Sequence, residues 1–153
     1  MRWFRAAVIT VVVLAAVCAA LCAEPVASRT PDQMTEQFFA LLKDNKPVEA
    51  VNSVWSSNSW MERKQDAADK LRSGLTNAIS LIGQYHGFEL LSRRQMGNRL
   101  VYMSFVAYYD RQPMRFEFEF YRADQTWALY TLSYDDNLDE ELKNAGRADS
   151  TSK

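Results

Sequence analysis

Two periods of apolar residues divide the chain at about Gly87. Before it, apolar positions recur every three or four residues, as on one face of a helix. After it they recur every second residue, as on one face of a strand. The first helix starts at Thr30, which can cap it. Pro31 suits the first helical position, Gln33 can return the capping bond, and Met34, Phe38, Leu41 and Leu42 form the apolar face. Asn45 and Lys46 break this run. Pro47 opens a short second helix with Val48, Val51, Val54 and Trp55 as its buried stripe. A polar link, Ser56-Ser57-Asn58-Ser59, follows. Ser59 with Glu62 repeats the capping-box signature and predicts a longer third helix, with Ala68, Leu71, Leu75, Ala78, Ile79 and Ile82 inward and Gly83 as its C-terminal cap. Gly74 costs that helix about 1 kcal/mol relative to Ala. A close helix–sheet approach is one reason for it, and an incidental glycine is the other.

In the second half, the spacing predicts strands over 88–93, 99–109, 114–122 and 127–134, joined by turns at Gln95-Met96-Gly97-Asn98, Asp110-Arg111-Gln112-Pro113 and Ala123-Asp124-Gln125-Thr126. Short turns make successive strands antiparallel. The third strand alternates most cleanly, with Met114, Phe116, Phe118 and Phe120 on one side and Arg115, Glu117, Glu119 and Tyr121 on the other. Only the three helices offer enough apolar surface to cover the Phe side. The expected fold is therefore α+β, with three N-terminal helices packed on a curved four-stranded antiparallel sheet.

Ahead of this domain, Arg2 and Arg5 precede sixteen uncharged residues from Ala6 to Leu21, then small residues and Glu24-Pro25. This is the order of a secretory signal, and the apolar run falls short of the ~20 residues that span a bilayer. The chain is read as a signal peptide at 1–23, one domain at 24–142 and a polar tail at 143–153, exported to the periplasm or secreted. Cleavage is placed after Ala23, with Cys22 and Ala19 as alternatives. A bulky residue before each cysteine argues against lipidation, and an uncleaved anchor is the other option. The 153 residues carry a net charge of −1, and without Arg2 and Arg5 the remaining 130 carry −3. Nothing in that balance favours nucleic acid. Both cysteines, Cys18 and Cys22, lie in the leader, so the domain has neither a disulfide nor a thiolate.

The order of three helices and four strands resembles the cone-shaped fold of the nuclear transport factor 2-like superfamily, in particular its small exported members. The resemblance spans roughly residues 30–136, including Gly83-Gln84-Tyr85 before the first strand and Phe120-Tyr121 before Trp127. It implies a cone-like sheet with a pocket against the long helix. That pocket holds the chemistry in the superfamily's isomerases and dehydratases, and elsewhere binds ligands or a second subunit. Fold alone does not choose among these.

The first reading is a non-enzymatic domain that binds a small apolar or amphipathic ligand, or a protein partner, in a helix–sheet cavity. Its candidate binding residues are Tyr102, Arg115, Glu117, Glu119, Tyr121 and Trp60. An isomerase-like enzyme using a pocket carboxylate and a dimerising structural subunit are the alternatives. Against the enzyme, Arg115, Glu117, Glu119 and Tyr121 also make an ordinary solvated sheet face. His86 is the sole histidine, and a triad with Ser92 or Ser104 and Glu89 is disfavoured because His86 sits in a connection. One histidine without a cysteine gives no zinc site, Asp135 to Glu141 lack calcium-loop spacing, and no glycine-rich phosphate loop is present. No cofactor is expected. Arg93 and Arg94, near Arg99, are read as protection of a sheet edge.

Overall fold

The computed structural model describes residues 28–139 and 142–144. The expected leader at 1–23, with the candidate cleavage points and both cysteines, and most of the expected tail lie outside these residues. The described chain runs α1 (Pro31–Lys43), α2 (Pro47–Trp55), a 3-10 turn at Met61–Arg63, α3 (Gln65–Ile82), then β1 (Tyr85–Met96), β2 (Leu100–Tyr109), β3 (Met114–Arg122) and β4 (Trp127–Asp135). The fold is α+β, with three helices on a four-stranded antiparallel meander.

Local chemistry sets the helix boundaries. Thr30 and Gln33 form the reciprocal capping box, at 3.2 and 2.9 Å. At the other end of α1, Asn45 takes φ 57°. Its N–H donates to the Leu42 carbonyl and the Lys46 N–H to the Leu41 carbonyl, at 3.0 and 2.9 Å, which satisfies two terminal carbonyls at once. The third helix departs from expectation. It starts at Gln65 after Lys64, which makes no side-chain cap, and not at Ser59. The residues between form the 3-10 turn, fixed by the buried Trp55 indole donating to the Met61 carbonyl at 2.9 Å. Val48 is exposed, and Ala50 takes its place in the buried stripe of α2.

The alternation of β3 is realised. Met114, Phe116, Phe118 and Phe120 are buried, and Phe38 of α1 meets Phe116 and Phe118 edge-on at 5.4 and 5.1 Å. Val101, Met103, Phe105 and Ala107 of β2 pair with these residues and extend the same face. Gly74 does mark a close approach: a Cβ there would lie 2.5 Å from the Tyr134 hydroxyl on β4.

The cone does not form. The sheet is open, in the order β1-β2-β3-β4, and among the described residues β1 and β4 each pair on one side only. The reason lies in the register. Curling a sheet takes bulges that bend its strands. The central β2–β3 pair runs unbroken from Leu100↔Tyr121 to Ala107↔Met114. The slips are confined to the outer pairs, at His86 and Leu91 of β1 and at Tyr130 of β4.

Candidate functional site

The open side of the sheet carries most of the residues singled out from the sequence. Arg115, Glu117, Glu119 and Tyr121 lie opposite Val106, Ser104, Tyr102 and Leu100 of β2, and the first three lie opposite Asp135, Ser133 and Thr131 of β4. The centre of this face is a closed network. Tyr102 donates its hydroxyl to Glu117 Oε1 at 2.6 Å, and Ser133 donates to Glu117 Oε2 at 3.3 Å. Arg115 pairs with Asp135 at 2.8 Å, and its Nε lies 3.9 Å from Glu117. Burial and the bond to Glu117 push the Tyr102 phenol up, which keeps it protonated as a donor. Ser104 and Val106 are buried on this face. Glu119 and Tyr121 share the face without joining the network. Trp60 is elsewhere, 58% exposed, with the Arg63 guanidinium and Lys64 ammonium 5.9 and 5.8 Å from its ring.

A cleft of about 600 Å³ opens on the helix-covered side, where the α1–α2 turn, the last turns of α3 and the start of β1 meet. Leu42 and Ile79, only 2% and 8% exposed, provide an apolar floor beside Pro47. Asn45, Thr76, Ser80, Gln84 and Tyr85 add polar groups around it, and Lys43 is the only charged residue of its lining among the described residues. Among the described residues, Lys43 and Tyr85 also line a neighbouring hollow of about 340 Å³ with His86, Gly87 and Phe88. Burial pushes the Tyr85 phenol up to about 12, so it stays neutral at physiological pH. Its ring meets that of Tyr109 edge-on at 5.5 Å. None of the six candidates, Tyr102, Arg115, Glu117, Glu119, Tyr121 or Trp60, lines this cleft, and neither does any carboxylate among the described residues.

The rim of the cleft is held by a turn some 26 residues away. Asp110 Oδ2 accepts from the Gln84 N–H at 2.7 Å, and Oδ1 lies 2.7 Å from His86 Nε2. Arg111 N–H donates to the Ile82 carbonyl at 3.0 Å, and the Arg111 side chain reaches the Leu81 carbonyl. Gly83, at φ 95°, packs so closely that a Cβ would lie 2.6 Å from Asp110 Oδ2. Asp110 thus shapes its turn as the sequence suggests, and fastens α3 to β1 as well. The bonds from Gln84 and His86 hold its carboxyl below the usual range. His86 therefore has a carboxylate partner, but neither Ser92 nor Ser104: both of these pair across β1 and β2 on the open face. Among the described residues no group of three or more His, Cys, Asp or Glu side chains is placed to hold a metal ion. No helix among them is long and apolar enough to cross a membrane.

The chain matches no known family model, no curated protein and no solved structure. The site must speak for itself. Its polar network was visible in the alternation of β3, whereas the cleft was not. Lys43, Pro47, Thr76 and Gln84 come from three separate segments whose spacing carries no joint signal.

Proposed function

We propose that this chain is an exported, non-catalytic domain that binds a small amphipathic ligand with an anionic head in the cleft between α1, α2, α3 and Tyr85. The observation that carries this reading is the lining: a buried apolar floor with a single charge, the ammonium of Lys43, at its margin. The volume falls within the range of small-molecule sites, and a few convergent polar groups on an apolar wall are what such sites use to orient a ligand. The open-face network supports the non-catalytic part. Glu117 is engaged by two hydroxyls and lies near a guanidinium, an arrangement that rigidifies a sheet face and does not leave Glu117 poised for proton transfer. The leader sequence supports export, and the element order supports kinship with the nuclear transport factor 2-like superfamily, whose cone this open sheet lacks.

The test uses decanoate and decanol as probes. A ligand that binds only the folded state stabilises it by about 2.7 kcal/mol at a hundredfold excess over its Kd. Decanoate should raise the unfolding midpoint, decanol should do so less, and Lys43→Gln should remove the difference between them. Ser80→Trp, which fills the cleft from an exposed helical position, should abolish both shifts, and Tyr102→Phe should leave them intact. A shift that survives Ser80→Trp, or no shift with either probe, overturns the proposal.

A further inference from the structure

The two edges of the sheet differ. At β4, Ser28 Oγ accepts from the Trp127 N–H at 3.3 Å and Ser57 Oγ from the Leu129 N–H at 2.8 Å, while Asn58 Nδ2 donates to the Leu129 carbonyl at 2.7 Å. At these two residues side chains stand where a fifth strand would pair. At β1, among the described residues, no bond from outside the sheet reaches the backbone between Phe88 and Met96. This edge strand is 12 residues long, and Phe88, Leu90, Leu91 and Met96 are exposed along it. An open strand edge is a template for another strand.

The one-residue slip at Leu91 gives β1 an internal symmetry. Before it, Phe88 and Leu90 lie on the helix-covered side and Gly87 and Glu89 on the open side. After it, Arg93 and Gln95 lie on the helix-covered side and Arg94 and Met96 on the open side. Residues directly opposite in an antiparallel pair must share a face. A second β1 laid antiparallel about the point between Leu91 and Ser92 sets Glu89 against Arg94, Leu90 against Arg93 and Phe88 against Gln95, with every pair on matching faces. A strand without the slip would mismatch all of them in this register. Arg93 is already paired with Asp32, whereas Arg94 makes no ion pair among the described residues.

We propose that the chain forms a two-fold dimer by antiparallel pairing of β1 with β1 of a second copy, in the register set by two Glu89–Arg94 ion pairs across the axis. Such a contact is self-complementary, as a two-fold interface requires. The basic pair that turns most strands away from this edge admits one that presents a glutamate at the matching position.

Sedimentation of the full chain across the micromolar range tests this. The wild type should dimerise. Glu89→Arg and Arg94→Glu should each weaken dimerisation about tenfold or more, because each sets like charges face to face twice. The double exchange E89R/R94E should restore it, and Arg94→Lys should keep it. Unfolding midpoints of all variants, measured as monomers, show that the fold is intact. A monomeric wild type, a dimer indifferent to the single exchanges, or a double exchange that stays monomeric overturns the proposal.

Discussion

Gly74→Ala offers a sharp test of how closely α3 approaches the sheet. In an exposed helix this change should stabilise the protein by about 0.8–1 kcal/mol, through intrinsic propensity alone. Here the new methyl would meet the Tyr134 hydroxyl at 2.5 Å, so that oxygen must retreat by roughly an ångström to reach ordinary contact distance. Tyr134 has little freedom to do so, because its ring is half-buried on β4, 6.1 Å from that of Phe116. Overpacking of this kind costs about 1–3 kcal/mol, which outweighs the propensity gain. Gly74→Ala should therefore lower stability by about 1 kcal/mol. Tyr134→Phe removes the obstructing oxygen and leaves the next ring atom at 3.8 Å, an ordinary contact. The double variant should then recover the propensity gain, giving a coupling energy of about 1–2 kcal/mol between the two sites. Urea unfolding of the four proteins in the cycle measures it. If Gly74→Ala alone stabilises by the full propensity value and is additive with Tyr134→Phe, the helix does not sit where the reasoning puts it.

The two faces of β3 predict opposite sensitivities. Phe118→Ala, at a fully buried ring, should cost about 3–5 kcal/mol in denaturant unfolding, whereas the neighbouring Glu119→Ala should stay within about 0.5 kcal/mol. Asp110 predicts a pH response. Its carboxyl is held below its ordinary value of 3.8 in the folded state, so its contribution is fully present above that value and is lost as pH falls through the lower folded one. Asp110→Asn should accordingly lower the thermal midpoint at neutral pH and reduce the loss of stability on acidification below pH 3.8.

How much of this was legible in the sequence depends on the range of the interaction. The Thr30–Gln33 cap, Pro47 and the β3 alternation act over a few residues, and each appears where the pattern placed it. Ser59 and Glu62 carry an equally good local signature and begin no α-helix, because the Trp55–Met61 bond organises that link from the core side. Strand β1 is longer than its alternation suggested: Leu91, following the apolar Leu90, is the extra residue of a register slip between Leu90 and Ser92, which a period of two cannot anticipate. Sheet curvature was misjudged for a related reason. Alternation says which side is buried, while bending is decided by where the bulges fall. The fastening of Asp110 to Gln84 and the assembly of the cleft are tertiary encounters between segments with no shared spacing.

The serines and asparagine seated along β4 also set an upper limit on growth. A sheet with two unguarded borders can add copies at each end without stopping, the route by which edge pairing becomes fibre. With the start of that border, at Trp127 and Leu129, taken up by its own chain, a molecule that joins through β1 has less backbone left to offer a third. Three polar side chains from Ser28 and the link after α2 thus guard the start of β4, and removing them would open more of that border to a further strand.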